Sequence, residues 1–372
     1  MYILNYACTT AAGGNVSLLM NSLREGRDTS QPAWAGGRVC FIEGEIEKSE
    51  SHEDILSRHL QNLWSDLAID FGKDRVALIF ASTKGIIEDY IWQSDDQEIR
   101  AHLDPYSAVL KSFRSAHPEI NWSLSCNVSN ACCSSHVAFE YVQDLLSQGR
   151  VDSALIIAAD LVGPFIYKGF SALKVVSPTR NRPFSADRDG LQLGEAVTMI
   201  AFSKEPRQKT KLRILNVASD TEGSSITRPS VNGAGLVRAL QKMQDLTPLT
   251  PDLVVAHGTG TKFNDFAEDL ALRQFLVNLG VPETPVTNTK WSIGHTLGAS
   301  GSVDLIAACE ILKSQSVFAI ANTGEKDPDF QMNYVTSKVA MTGSPIAQIL
   351  ITSLGFGGVH AALSVERMAE IR

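Results

Sequence analysis

No stretch of this 372-residue chain approaches the ~20 consecutive apolar residues that cross a bilayer, so the sequence offers no candidate membrane helix. The opening residues, Met1-Tyr2-Ile3-Leu4-Asn5-Tyr6-Ala7-Cys8, carry neither a basic flank nor a long apolar segment, and a cytoplasmic location is expected. Runs of Lys and Arg are missing too. With a formal charge of −8 and no local basic patch, the chain has nothing to attract nucleic acid or an anionic membrane, and neither is expected as a partner. Cysteine is sparse. Cys8, Cys40, Cys126, Cys132, Cys133 and Cys309 are too scattered for a disulfide framework, and no pair has metal-site spacing. They read as thiols, one of them chemical. Charged residues are 20% of the chain against 44% hydrophobic, a globular balance that argues against disorder. The length allows one large core or two fused ones.

Short β-branched runs alternate with helical stretches, the pattern of a layered α/β fold with buried sheets. Strands are expected at Val76 to Ala81, Ala154 to Ala159, Ala196 to Phe202, Leu212 to Ala218, Leu253 to Ala256 and Ala347 to Leu354. Helices are expected at Ser134 to Ser147, ended by Gly149, and at Gly301 to Lys313. The polar, basic stretch Ser203-Lys204-Glu205-Pro206-Arg207-Gln208-Lys209 precedes a fresh strand and divides the chain into residues 1–205 and 206–372. The two halves share no residue-level repeat, which leaves a structural duplication open. Gln93 to Asn121 is polar and poorly periodic until a helical run near Tyr106 to Phe113, and reads as a surface connection.

Four segments carry chemistry. Asn130-Ala131-Cys132-Cys133-Ser134-Ser135-His136 lies between the extended run Trp122 to Val128 and an amphipathic helix. A thiol at that junction faces unpaired N–H groups and the positive end of the helix dipole, so its pKa is expected to fall. Two small buried hydrophobes opening a core helix would explain this segment equally well. Val254-Val255-Ala256-His257-Gly258-Thr259-Gly260-Thr261, followed by Asp265 and Glu268, ends a strand in His and Gly. That places an imidazole at the carboxyl edge of a sheet, where open α/β folds keep their chemistry. The alternative, a satisfied core histidine before a turn, loses weight because hydroxyls and glycines follow rather than a hydrophobic cap.

Asn288-Thr289-Lys290-Trp291-Ser292-Ile293-Gly294-His295-Thr296-Leu297-Gly298-Ala299 leads into a helix. If its apolar residues are buried, Lys290 needs an anion, which Glu268 or Asp304 could provide; the plainer alternative is a solvated loop. In Ser353-Leu354-Gly355-Phe356-Gly357-Gly358-Val359-His360, three glycines around one Phe suggest backbone that approaches a ligand, with a tight hairpin as the alternative.

In this order and spacing, the segments resemble the β-ketoacyl-[acyl-carrier-protein] synthases of the elongating Cys-His-His type, within the thiolase superfamily. The resemblance runs from Asn5 to Glu366. It rests on Ala131-Cys132-x-Ser134, Arg188-Asp189-Gly190-x-x-x-Gly194-Glu195, His257-Gly258-Thr259-x-Thr261 with Asp265 and Glu268, Thr289-Lys290-x-x-x-Gly294-His295-x-x-Gly298-Ala299, and Gly355-Phe356-Gly357-Gly358. It implies a thiolase-like α/β fold of two similar halves in a five-layered αβαβα core. It further implies Cys132 as nucleophile, with Cys133 a packing neighbour. His257 and His295 become the pair assisting decarboxylation, Lys290 the lysine that orders the site, and Glu268 its salt-bridge partner. Thr259 and Thr261 would hold a phosphopantetheine arm. Phe356 would act as a gate, and the amides of Cys132 and Phe356 as an oxyanion hole. Asp265, Asp304, Gly357 and Gly358 would support the site. The resemblance implies no permanently bound cofactor or metal. Substrates would arrive on acyl carrier protein, and the chain would pair with itself or with a ketosynthase-like chain.

Initiating synthases of the superfamily pair Cys with His and Asn, and thiolases use a second Cys, so His295 favours the elongating type. Three features depart from the family pattern. The chain is shorter, with the loss expected between Gly85 and Trp122. Asp304 stands where a Glu is usual, so its contact to Lys290 is expected to run through water or be absent. Val359-His360 replaces the common Thr-Asn. These differences point toward a specialised pathway such as an aryl polyene or polyketide cluster. Two rival functions are a non-catalytic subunit like a chain-length factor and a cysteine-dependent thioester hydrolase.

Overall fold

The computed structural model of the protein describes residues 1–42, 50–93, 104–207, 210–336 and 345–368. In its first half the strands are β1 (Tyr2–Thr10), β2 (Gln31–Pro32), β3 (Arg38–Cys40), β4 (Val76–Ala81), β5 (Trp122–Val128), β6 (Ser153–Asp160), β7 (Leu193–Gly194) and β8 (Ala196–Ser203). The second half adds β9 (Leu212–Thr221), β10 (Leu253–Val255), β11 (Pro285–Thr287), β12 (Asn333–Tyr334), β13 (Gln348–Leu354) and β14 (Val359–Arg367). Eleven of them form one sheet in the order β12-β11-β10-β13-β14-β9-β1-β8-β6-β4-β5, while β2, β3 and β7 form a small second sheet.

The sheet order shows the duplication that residue comparison missed. Leaving aside the two-residue edge strand β12 of the second half, the order is β5-β4-β6-β8-β1 in the first half and β11-β10-β13-β14-β9 in the second, so the five corresponding strands rank 3-2-4-5-1 within each half. Directions match as well. The three outer strands of each set are parallel, and the two inner ladders are antiparallel. The halves join where β1 meets β9, at Tyr2↔Arg213 and Ile3↔Leu212. Sheet order depends on hydrogen bonding and chirality rather than side-chain identity, so it outlives sequence similarity.

β4, β6 and β8 are buried at every residue, which explains their near-continuous apolar runs. The helices Ser134–Ser147 and Ser300–Ser314 pack against each other between the halves. The second of these is buried on nearly every side, as a helix enclosed by other elements must be. His52–Leu67 and Ser107–Ala116 cover the first half from outside, and Ala234–Leu246 packs on β9 and β14 in the second. The arrangement is the thiolase-like α/β fold.

One expectation changes. The helix Ser107–Ala116 is not merely a surface connection, because Val109, Leu110 and Phe113 enter the core beside β4 and β6. Those three residues make a one-sided apolar stripe too short to stand out in a polar segment. Residues 94–103 of that segment, and Gln208 and Lys209 of the dividing stretch, lie outside the described residues.

Candidate functional site

Strand ends bring the site together. β10 and β11 run parallel in register, with Val255 opposite Thr287, so the residues just beyond them, Ala256-His257 and Asn288-Thr289-Lys290, emerge side by side. β13 is parallel to β10 on its other flank and ends in the turn that carries Phe356. The first half supplies Cys132, which lies between β5 and the helix Ser134–Ser147. Ala131 before it takes a positive φ of 46°, a strained conformation for a residue with a side chain. The Ser134 hydroxyl braces this turn by donating to the Ala131 carbonyl at 2.7 Å and accepting from the Asn130 amide at 2.8 Å.

Cys132 and His295 meet directly, with Sγ 3.1 Å from Nε2. Nδ1 of His295 is 3.0 Å from the Ser300 hydroxyl, itself 3.2 Å from that of Thr296. The His257 ring stands nearly perpendicular to the His295 ring, centroids 5.1 Å apart. Cys132 is 3% exposed and each histidine 1%, so the three groups sit in a low-dielectric site. The neighbouring thiol of Cys133 turns away, 3.2 Å from the Val359 carbonyl and 3.4 Å from the Ser353 hydroxyl.

Burial sets the protonation states. It pushes the Cys132 thiol up to about 12, against the pull of the Phe356 N–H and the Lys290 charge. The expected fall at a helix start is therefore not found, because desolvation of a buried thiolate outweighs the few N–H groups facing it. Burial, helped by the Lys290 charge, lowers His295 to about 3 and holds His257 well below the usual histidine range. At neutral pH the site consists of a thiol and two uncharged imidazoles.

Lys290 corrects two further expectations. Its Nζ lies 3.0 Å from Asp304 Oδ2, both side chains 1% exposed, so the shorter carboxylate reaches the ammonium directly. Thr289 donates its hydroxyl to the other Asp304 oxygen. Glu268 does a different job. Its oxygens accept the His257 amide at 2.7 Å, the Gly258 amide at 2.8 Å and the Thr352 hydroxyl at 2.6 Å, fixing the loop that carries His257. Asp265 acts likewise on the next stretch, accepting the Thr259 amide at 3.0 Å and the Gly260 amide at 3.1 Å. Thr259 and Thr261 share a 2.9 Å hydroxyl contact.

A cavity of about 540 Å³ opens onto this cluster, lined by Cys132, His295, Phe356, Thr259, Thr261 and His360 among others. His257 and Lys290 are not in its lining. Phe356 is half-buried and stacks on Phe170, centroids 5.5 Å apart and planes 16° from parallel. The turn of residues 355–358 joins β13 to β14 as a tight hairpin. Gly355 and Phe356 line the cavity, but Gly357 and Gly358 do not. Gly358, at φ 76°, has no room for a side chain because a Cβ there would lie 2.1 Å from the Glu222 carbonyl oxygen. That glycine answers to a protein neighbour rather than a ligand.

Two contributors went unassigned from sequence. The side-chain amide of Asn288 donates to the carbonyls of Ala256, His257 and Gly258 at 2.9, 3.0 and 3.1 Å, clamping the His257 loop. Gly194 lets β7 lie under the His295 loop, since a Cβ there would meet the Ile293 carbonyl oxygen at 2.0 Å. Both act on backbone, and only the parallel placement of β10 and β11 would have exposed the role of Asn288. Among the described residues no group of His, Cys, Asp and Glu could hold a metal, and no helix is long and apolar enough to cross a membrane.

Residues 60–206 match the beta-ketoacyl synthase N-terminal domain, and residues 212–323 the beta-ketoacyl synthase C-terminal domain, together well over half of the chain. The 3-oxoacyl-[acyl-carrier-protein] synthase 2 of Mycobacterium leprae is 29% identical over 63% of this chain and 59% of its own length. The tetracenomycin ketoacyl synthase alpha subunit of Streptomyces glaucescens is 28% identical over 66% of this chain and 60% of its own. Among solved structures, a type II polyketide ketosynthase in complex with its acyl-carrier protein superposes at a TM-score of 0.84, with 19% identity, covering 99% of both chains. A Xenorhabdus doucetiae ketosynthase in complex with its chain length factor superposes at 0.76, with 23% identity, over 99% of this chain and 98% of that one.

Proposed function

The chain belongs to the β-ketoacyl synthase family, and on that premise we propose that it condenses an acyl group held on Cys132 with malonyl-acyl carrier protein, giving a 3-oxoacyl-acyl carrier protein and carbon dioxide. The observation that carries this reading is the 3.1 Å contact of Cys132 with His295, with the second imidazole of His257 beside it.

In the first half-reaction Cys132 Sγ attacks the thioester carbonyl of the incoming acyl group. The thiol proton passes to His295 Nε2 and then to the departing pantetheine sulfur. A thioester on Cys132 stays reactive toward a carbon nucleophile. In the second half-reaction malonyl-carrier loses carbon dioxide, and its enolate oxygen needs donors already in place. His295 and His257, held neutral by burial, provide N–H groups for it without adding charge. The Ser300 hydroxyl can donate to His295 Nδ1 or accept from it, so Nε2 can serve as acceptor in one half and donor in the other. The enolate carbon then attacks the Cys132 thioester. The oxyanion so formed is suited to the N–H groups of Cys132 and Phe356, which are aimed at the sulfur, and its collapse releases Cys132.

Thr259 and Thr261 are assigned to the pantetheine arm, Phe356 to admission of the acyl group, and Lys290, Glu268, Asp265 and Asp304 to holding the imidazoles. Gly357 and Gly358 shape the turn behind Phe356. Substrates arriving on a phosphopantetheine require no resident cofactor, and a cytoplasmic location suits a carrier-dependent enzyme. We divide the chain into residues 1–205 and 206–372, a reading that the two sets of strands support. Among the described residues the edge strand β5 pairs only with β4 and is partly exposed along its length, which suits a second chain adding there. We therefore expect a homodimer, or a heterodimer with a ketosynthase-like chain. Scattering at micromolar concentration tests this, and a monomer would contradict it. The pathway is fatty acid, aryl polyene or other polyketide synthesis.

Incubation with acyl-carrier and malonyl-carrier, followed by mass analysis of the carrier-bound product, tests the reaction. A 3-oxoacyl product is expected; free acid released from acyl-Cys132 with no 3-oxoacyl product would make the protein a hydrolase instead.

A further inference from the structure

Asp160 ends β6 as a carboxylate 1% exposed and outside the cavity lining, and the reaction above gives it no task. Its Oδ2 accepts the Gly298 amide at 2.8 Å, the Thr83 amide at 3.0 Å and the Thr83 hydroxyl, and its Oδ1 accepts the Ser82 hydroxyl at 2.9 Å. Ser82 Oγ in turn accepts the Gly85 amide at 2.9 Å, which leaves its proton for Asp160. All four contacts therefore donate to the carboxylate, the pattern of an ionised acid. Burial raises its pKa, and the Lys84 charge and these donors oppose the rise. Lys84 is itself buried, 4.0 Å from Glu88, and its ammonium makes no hydrogen bond.

The turn of residues 297–299, just beyond His295, needs such a hold. Leu297 takes a φ of 52°, a conformation that persists only where its surroundings fix it. A Cβ on Gly298 would lie 2.8 Å from both Asp160 Oδ2 and Thr83 N, so the turn rests directly on the carboxylate. From the other side Ser135, on the helix that follows Cys132, donates its hydroxyl to the Gly298 carbonyl. One peptide group thus joins the helix beside Cys132 to the turn beside His295, and Asp160 anchors it to the ends of β4 and β6.

We infer that Asp160 is a positioning residue for His295, a buried carboxylate that clasps the 297–299 turn to the ends of β4 and β6 and sets a negative charge behind the pair of Cys132 and His295. The clasp fixes where His295 Nε2 stands against the thiol. The charge acts on the thiol itself. Burial does most to keep Cys132 protonated and Asp160 works in the same direction, against the Phe356 N–H and the Lys290 charge. A free thiolate is therefore costly, and Cys132 gives its proton to His295 only as a thioester carbonyl arrives. The inference rests on the reading of Cys132 as nucleophile and His295 as its proton acceptor.

Two substitutions separate clasp from charge. Asp160→Asn keeps an acceptor for the Gly298 amide and removes the charge, whereas Asp160→Ala removes both. Alkylation of Cys132 by neutral iodoacetamide and by anionic iodoacetate, followed residue by residue with peptide mass analysis, reads the charge without any carrier or acyl group. That outcome therefore stands apart from whether condensation is observed. Buried Cys40 and Cys309 serve as internal controls for general loosening. At fixed pH, Asp160→Asn should speed iodoacetamide at Cys132 roughly tenfold relative to those controls, as loss of a nearby like charge moves a pKa by about one unit. Iodoacetate should gain a further factor of roughly three, because the reagent's own charge is no longer repelled. With acyl-carrier as substrate, Asp160→Ala should slow acylation of Cys132 by roughly tenfold to a hundredfold with little change in KM, and Asp160→Asn should recover much of that loss. Iodoacetate gaining no more than iodoacetamide in Asp160→Asn, or wild-type acylation in Asp160→Ala, would overturn the inference.

Discussion

The two halves of the molecule share one strand order and contribute unequally to the site. The first half gives a single reactive group, Cys132, beyond β5. The second gives His257 beyond β10, Lys290 and His295 beyond β11, and Phe356 beyond β13. Their outer edges differ too. β5 is a seven-residue strand left partly exposed, whereas β12 at the opposite end is two residues long. A duplicated scaffold thus fixes where strand ends fall, while in the proposed reaction the residues placed on those ends divide the chemistry: a thiol would hold the acyl group on one side, and imidazoles would handle the enolate on the other.

That division predicts unequal losses. The largest is expected from Cys132→Ala, which should abolish acyl labelling while the thermal unfolding transition is retained. Cys133→Ala should leave labelling in place, because the second thiol faces β13 and β14 rather than the cavity. Labelling that survives in Cys132→Ala and disappears in Cys133→Ala would reverse the assignment. Next comes Lys290→Ala, which leaves the buried Asp304 carboxylate without its partner. It should destabilise the fold by roughly 3–5 kcal/mol in denaturant titration. Lys290→Met with Asp304→Leu should recover much of that loss, since an apolar pair removes both charges.

The smallest effect is a slope. With the Cys132 thiol raised to about 12, the thiolate fraction grows as pH rises through the neutral range and does not saturate there. Alkylation of Cys132 should accelerate about tenfold per pH unit up to pH ~10, following simple acid dissociation. A plateau near pH 7 would mean a stabilised thiolate and would restore the helix-start expectation. Acyl transfer should show no acid limb near pH 6.5, because His295, lowered to about 3, remains an uncharged proton acceptor well below that pH.

Much of this was readable from sequence where a local pattern encodes it. The buried strands Val76–Ala81 and Gln348–Leu354 announce themselves as apolar runs, and the helix Ser134–Ser147 as a periodic stretch closed by Gly149. The candidate residues clustered because each lies just past such an element. What stayed hidden depends on distance in space. Choosing Asp304 over Glu268 as the partner of Lys290 required knowing that the helix Ser300–Ser314 runs beside Lys290, while Glu268 faces the His257 amide. The thiol's raised pKa required knowing that the helix start is enclosed. The duplication was invisible because strand order leaves no trace in residue identity.

The central claim is that the groups around Cys132 divide the two half-reactions, with His295 taking part in both and His257 only in the step that releases carbon dioxide. Release of carbon dioxide from malonyl-carrier, measured beside acylation of Cys132 in the His257→Ala protein, tests this most directly. The account predicts that carbon dioxide release falls by roughly 10²–10³-fold, as when one oxyanion donor is lost, while acyl loading falls much less. Equal loss in both steps would make His257 a structural residue and contradict this division of labour.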